Sequence, residues 1–360
     1  MKIALFTDLH YGIRNDSSIF MDYQKKCNDW FFSYLRASNI ENIICLGDLY
    51  DRKKYLNFVT AHRTDIDFLK IVNDEFKMDI ILGNHDIYHK NRHDINSLEN
   101  QITGRYSNIN VHSMPTTKTY DGTDILLLPW ITETNKEATF QAINDTKAQI
   151  VMGHLELDGF EMDKGSFKQG GQDPNDFNKF ELVCSGHFHH KSSKNNIHYI
   201  GAAYEFTWHD WNDPRGFTIL DTDTRTLKFI QIPYNMFYMM VYDDSINENE
   251  IKNFIKNVDV SYLKDKYVRL VVSKKNNPYL FDLYVDKFYK AGPQDLSVVE
   301  SSTLFNENEF VEEISQTENT MTILNKYVDG LKIDEDASRV KEILKEIYME
   351  AVSKKENQDA

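Results

Sequence analysis

Short runs of Ile, Val and Leu recur from residue 2 to about residue 220, and each breaks into a cluster of Gly, Asp, Asn or His. The runs are KIALFTD, NIICLGD, DIILGNHD, DILLLPW, QIVMGH, ELVCSGH, IHYIGAA and RGFTILD. Apolar stretches this short and this continuous are the pattern of buried strands that feed polar loops. Between several of them, residues 19–37 and 57–76 space their apolar positions as amphipathic helices do. Strands alternating with helices predict an α/β sheet with layers on both faces. The later strands crowd together, which predicts a more antiparallel second half.

Near residue 235 the pattern changes. Residues 236–242, 266–273 and 295–301 read as strands and residues 247–257 and 278–291 as helices, a compact β-α-β-α-β unit. The chain is thus expected to divide into a large domain over 1–235, a small domain over 236–301, an acidic linker over 302–336 and a helix over 337–354. In that last helix Val340, Ile343, Leu344 and Ile347 fall on one apolar stripe, with Asp336 or Ser338 as N-cap. Its separation from the rest by an acidic linker favours docking on a partner over packing on its own chain.

Composition narrows the class. A hydrophobic fraction of 41% and a charged fraction of 27% suit a soluble globular protein. No apolar stretch reaches the roughly 18 residues of a membrane span, and the N-terminal run is too short for a signal peptide. Three scattered cysteines, Cys27, Cys45 and Cys184, fit a reducing compartment, and a cytoplasmic location is expected. The net charge of -15 stands against nucleic-acid binding at first sight. However, residues 295–336 hold eleven acidic residues against Lys326 and Lys332, which accounts for nine of the fifteen excess negative charges. The rest of the chain is far closer to neutral.

Five strand ends terminate in metal-binding residue types: Asp8 with His10, Asp48, Asn84 with His85, His154, and His187 with His189. One Asp-x-His or Gly-His is an ordinary surface loop. Five in one chain, each directly after a buried strand, point to a site outside the carboxyl ends of a sheet. Imidazoles, carboxylates and an amide without thiolate suit manganese, iron or zinc better than calcium, with manganese preferred and magnesium possible. One ion needs three or four such groups, whereas two ions sharing a carboxylate use seven. Two divalent ions against Asp8 and Asp48 also leave a positive surplus for a phosphate diester.

These residues carry a family resemblance. Asp8-x-His10, Gly47-Asp48-x-x-Asp51, Gly83-Asn84-His85-Asp86, Gly153-His154 and Gly186-His187-x-His189 match in order the five motifs of the calcineurin-like metallophosphoesterases. Within them the chain resembles the SbcD-type nucleases of bacteria and phages, through GHLELDGF at 153–160, CSGHFH at 184–189, YIG at 199–201 and DPRGF at 213–217. The resemblance implies a four-layer α/β/β/α core with a small α+β capping domain and a C-terminal helical tail. It implies one metal held by Asp8, His10, Asp48 and His189, and a second held by Asp48, Asn84, His154 and His187. His85 would face the phosphate, with Asp51 or Asp86 orienting its ring. The activity implied is exonuclease and endonuclease cleavage of DNA in recombination, repair and replication. The partner implied is an SbcC-type coiled-coil SMC-like ATPase, in a heterotetramer built on a nuclease homodimer; no G-x-x-x-x-G-K-[ST] motif occurs in this chain itself.

The homodimer would use helices following the second and third motifs, at about 57–76 and 92–104, with Phe58, Ile66, Phe68 and Leu69 as candidates. Arg52, Lys53 and Lys54 follow the second motif and are candidate DNA-backbone contacts. Arg215 reads as a turn residue in preference to a phosphate clamp. A phosphatase or phosphodiesterase acting on a small or protein substrate is the alternative function.

Overall fold

The computed structural model describes residues 1–245, 247–300 and 339–340. The compact unit Met1–Val298 contains the fold and the site. Residues 302–336, the expected linker, lie outside the described residues, as do Ile343, Leu344 and Ile347 of the expected partner helix. Two six-stranded mixed sheets form the centre of the unit. Strands β1 (Lys2–Phe6), β2 (Asn42–Cys45), β3 (Lys77–Ile81) and β4 (Ile109–His112) lie side by side in parallel in the first sheet. Four strands of the second sheet, β5 (Thr116–Tyr120), β6 (Thr123–Leu128), β7 (Ile150–His154) and β8 (Leu182–Gly186), are followed by β9 (Ser192–Lys194) and β10 (Ile197–Tyr199). Strands β11 (Gly216–Asp221) and β12 (Thr226–Gln231) return to the first sheet, giving the orders β12-β11-β1-β2-β3-β4 and β9-β10-β8-β7-β6-β5.

Alternation along each central strand builds the layers. Ile3 and Leu5 of β1, Ile125 and Leu127 of β6, Ile150 and Met152 of β7, and Leu182 and Cys184 of β8 meet in one cluster between the sheets. Their neighbours Ala4 and Phe6 face a second cluster, and Leu126, Val151 and Val183 a third, on the outer sides. Strands buried on both faces must be apolar at every position, so the runs show no alternation in sequence. Antiparallel pairing is confined to β11 and β12 in the first sheet and to β5 and β9 in the second. The later strands are thus more antiparallel than the early ones, as expected, although the centre of the second sheet is parallel. The segment between β7 and β8 is long enough for a crossover, and the two pair in parallel.

Helix α1 (Ser18–Ala37) lays Phe20, Phe31, Phe32 and Leu35 on the first sheet, and the Phe31 ring stacks on Phe6 at 4.3 Å. Helix α2 (Phe58–Thr64) runs through a π turn, Asp65–Leu69, into a further helix, Lys70–Glu75. Phe68 and Leu69, expected on a contact face between copies, are instead 0% and 2% exposed, with Phe68 packed against Phe32. The apolar core under α1 claims both. Phe58 and Ile66 do face outward, at 93% and 39% exposure.

After β12 in the chain, β13 (Phe237–Asp243), α3 (Glu248–Asn257), β14 (Tyr267–Lys274), α4 (Pro278–Ala291) and β15 (Asp295–Glu300) form a three-stranded unit in the order β13-β14-β15. Tyr242, Ile251, Leu270, Leu280, Tyr284 and Phe288 give it a core of its own. Helix α4 is delimited by local chemistry: the Asn277 side chain accepts from the Leu280 N–H, Pro278 opens the first turn, and Gly292 closes it at φ 73°. The unit is tied to the large sheets by Phe237, which packs against Phe20 and Trp208, and by Glu205, whose carboxylate accepts the Met236 and Phe237 N–H groups.

Candidate metal centre

The carboxyl ends of β1, β2, β3, β7 and β8 open at one edge of the two sheets, and the loops that leave them interlock. The Asp8 N–H donates to the Gly47 carbonyl at 3.1 Å and the His10 N–H to the Asp48 carbonyl at 3.1 Å. The turns are tight enough to force unusual backbone. Asp8, His10, Asp48 and His187 have φ of 51°, 44°, 55° and 90°, a region that ordinary residues avoid unless their surroundings over-determine it. A Cβ on Gly83 would lie 2.1 Å from Asp48 Oδ1, and one on Gly186 2.2 Å from Thr7 Oγ1. Glycine before Asn84 and before His187 is thus a requirement of close approach.

Three groups of electron-rich atoms result: two adjoin Asp48, and one brings His10 together with Asp51 and His85. Asp8, His10 and His189 bring one ligand atom each within 4.8 Å of one another, and so do Asp48, His154 and His187. The His10 and His189 Nε2 atoms are 3.1 Å apart, with Asp8 Oδ1 at 3.9 and 4.0 Å from them. In the second group Asn84 Oδ1 lies 3.0 Å from His154 Nε2 and 2.9 Å from His187 Nδ1. Asp48 Oδ2 stands between the groups, 3.8 Å from His10 Nε2 and 3.4 Å from His154 Nε2. Every one of the seven sequence-derived ligand residues is therefore brought together.

The donor set fits divalent cations by a test independent of the motifs. Asp8 Oδ1 is buried and accepts no hydrogen bond, an expensive condition for a carboxylate oxygen unless a cation meets it. Metal-binding histidines have their free N–H held by a carbonyl or carboxylate, and His154 shows that arrangement, while His10 and His187 turn theirs toward carboxylates beyond hydrogen-bond distance. His154 Nδ1 donates to the Leu46 carbonyl at 2.6 Å, which leaves Nε2 as the electron donor. His10 Nδ1 points at Asp51 Oδ1, 3.6 Å away, and His187 Nε2 at Glu156 Oε1, 3.7 Å away. Burial opposes protonation of His154, but the Asp48 carboxylate more than offsets it and holds the pKa up at about 9. Burial, reinforced by the nearby His85, pushes His10 the other way.

His85 sits at the edge of both groups. Its Nδ1 lies 2.6 Å from the Asp51 backbone carbonyl and must donate to it. The ring is thus oriented by the main chain of Asp51, while the Asp51 carboxylate faces His10. Asp86 does not orient His85 at all. Its buried carboxylate accepts from the N–H groups of Asp48 at 2.8 Å, Gly83 at 2.9 Å, Leu49 at 3.1 Å and Tyr50 at 3.4 Å, clamping the second and third loops together. Burial beside Asp48 pushes its pKa up to about 7, and the N–H donors pull against that.

Among the candidate DNA contacts, Arg52 is ion-paired with Asp16 at 2.9 Å and lies over the Tyr55 ring, whereas Lys53 and Lys54 have no acidic partner among the described residues. Arg215 is buried, pairs with Asp210 and Asp213, and donates to the His189 carbonyl. It closes the turn behind the metal loop and is no phosphate clamp. Motif reading overlooked three neighbours. Phe206 packs on His10 and His189 at 5.4 and 5.7 Å, and Trp130 on His187 at 4.9 Å. Glu156 also pairs with Lys168 at 2.7 Å, and His187 and Lys168 together draw its pKa down to about 2. Only Glu156 left a trace in sequence, two residues after His154.

Residues 1–191 match the family described as calcineurin-like phosphoesterase. Exonuclease subunit 1 of Enterobacteria phage T4 is 27% identical over 355 residues, covering 98% of this chain and 99% of the relative. The SbcD chains of the SbcCD nucleases from Staphylococcus saprophyticus and Staphylococcus epidermidis are 27% and 24% identical, covering 70% and 75% of this chain and 76% and 82% of theirs. Among the described residues no helix is long and apolar enough to cross a membrane.

Proposed function

This chain belongs to the calcineurin-like phosphoesterases, and from that premise we propose that it is a metal-dependent DNA nuclease, cutting duplex ends as an exonuclease and single strands as an endonuclease. The observation that carries the reading is the convergence of seven ligand residues in two adjacent groups on either side of Asp48. Asp8, His10, Asp48 and His189 would hold one divalent ion and Asp48, Asn84, His154 and His187 the other, with manganese favoured by the nitrogen-rich donor set. Bound, the pair supplies Lewis acidity, which makes water acidic near neutral pH and withdraws charge from a phosphodiester.

The chain's own groups do the rest. Asp86 and the left-handed turns hold the ligands in place before substrate arrives, so no reorganisation is needed at the moment of reaction. The Asp51 carbonyl keeps the His85 proton on Nδ1 and frees Nε2 to face the phosphate. Once protonated, Nε2 can donate to a non-bridging oxygen or to the leaving oxygen. Lys53 and Lys54 are the cations left over to meet the DNA backbone.

Full-length similarity to a protein named as an exonuclease subunit, and partial similarity to components of SbcCD nucleases, supports an SbcC-type ATPase partner. That partner would supply ATP hydrolysis, for which this chain has no phosphate-binding loop motif. The reading extends to a homodimer within that complex, acting on DNA ends in the cytoplasm. The test is degradation of end-labelled linear duplex DNA and of a small chromogenic phosphodiester with manganese, alongside Asp48→Ala. Asp48-dependent DNA degradation supports the nuclease. Turnover of the small diester alone, even with the ATPase present, moves the assignment to a phosphodiesterase of small substrates.

A further inference from the structure

A cleft opens beside the metal centre, between the loop over residues 50–56 and the hairpin Ile87–His89/Arg92–Asn96, and has a volume of about 170 Å³. Both walls begin at the reaction centre. Asp51 holds the His85 ring through its carbonyl, and the chain then runs on through Lys53 and Lys54 to Tyr55. The opposite wall starts three residues after His85, at Tyr88, and continues to Ile95. Tyr55, Tyr88 and Ile95 are 61%, 41% and 47% exposed, unusually open for aromatic and branched side chains facing one another across a cleft. Arg52, fixed by Asp16, lies 4.8 Å above the Tyr55 ring and sets its plane.

The polar groups in the cleft are largely committed. The Asn96 amide donates to the His93 carbonyl and to Glu99, the Asn100 amide to the Asn96 carbonyl, and the Ser97 hydroxyl to the Asp86 carbonyl. What remains is flat apolar surface with two uncommitted ammonium groups at its mouth. Flat rings under a cationic rim suit a base attached to a phosphate backbone.

We propose that this cleft receives a single unpaired nucleobase of the DNA strand, stacked on Tyr55 and Tyr88 while Lys53 and Lys54 hold the flanking phosphates. The inference rests on the nuclease reading and deepens it. Stacking on a ring face reads no base edge and needs the base to be unpaired, which makes the chain selective for frayed ends and single strands with little sequence preference. Ile95, Asn96, Ser97, Asn100 and Gln101 also fall in the 92–104 segment expected to contact a second copy, so a second copy is the competing occupant that the sedimentation arm of the test separates.

The test uses the full chain with manganese and a fluorescent single-stranded oligonucleotide, scanned with one abasic position. Tyr55→Ala and Tyr88→Ala should each weaken binding about tenfold, the worth of one stacked base, and Tyr→Phe at either position should restore it. The wild type should lose the same factor with the abasic position in the cleft, and the alanine variants should lose nothing further from it. Manganese stoichiometry and melting temperature of each variant check that the centre is intact. Equal losses in the variants on abasic and intact strands, undiminished binding in both, or a change of sedimentation alone, would overturn the stacking site. A wild-type chain that hydrolyses a small diester but binds no oligonucleotide would instead overturn the nuclease reading, and the cleft with it.

Discussion

At His85 the hydrogen-bond geometry separates holding metal from helping chemistry. Its Nδ1 is spent on the Asp51 carbonyl and its backbone N–H donates to Asp48 Oδ1 at 2.7 Å, so only Nε2 is open, in a ring grouped with His10 and Asp51 and not with the atoms around Asp48, His154 and His187. His85→Ala should therefore lower kcat by about 10²- to 10⁴-fold, the usual worth of a proton-transferring side chain, with two manganese ions still bound per chain by elemental analysis. Loss of the ions would show His85 to be a ligand. Gly83→Ala should do the reverse. Its Cβ would be driven against the Asp48 carboxylate, so metal binding measured by calorimetry should fall with activity.

Among the elements, the helical stretch from Phe58 to Glu75 carries two separable roles. Phe68 is buried in an aromatic cluster with Phe6, Tyr11 and Phe32, and Phe68→Ala should cost about 3–5 kcal/mol in urea denaturation, as for a large side chain removed from a core. Phe58, 93% exposed on the same stretch, should leave stability nearly unchanged when replaced by Asp. Sedimentation of Phe58→Asp tests the proposed homodimer: a shift toward monomer supports it, and an unchanged dimer places the contact elsewhere.

For the molecule as a whole, Glu205 couples the small three-stranded unit to the sheets. Burial, with help from Asp210, raises its pKa from the ordinary 4.5 to about 7, although the Met236 and Phe237 N–H groups pull it down. Between those values the folded chain keeps a proton that the unfolded chain has released. Stability should therefore fall as pH rises from about 4.5 to about 7, by at most about 3 kcal/mol. Thermal melts across that range should show the slope, and Glu205→Gln should reduce it, leaving the share of Asp86, whose pKa is raised in the same direction. The charge distribution adds an expectation: with most of the negative excess confined to residues 295–336, deleting that segment's charge should tighten DNA binding most at low salt.

The proposed metal ligands stood out in the sequence because strands buried on both faces must be apolar throughout, so any polar residue at their carboxyl ends is conspicuous. Asp8, Asp48, Asn84, His154 and His187 were visible in that way, and the layered fold followed from the same runs. Tertiary structure alone decided which atoms of those residues converge and what lies behind them. Asp86 clamping loops, Asp51 acting through its carbonyl, Arg215 bracing His189 and Phe206 covering two imidazoles depend on contacts between segments far apart in the chain, and no local spacing encodes them. The inward turn of Phe68 and Leu69 has the same origin. An apolar stripe announces that a face will be covered, but whether by the chain's own core or by another molecule depends on which surface is nearest once the sheets have packed.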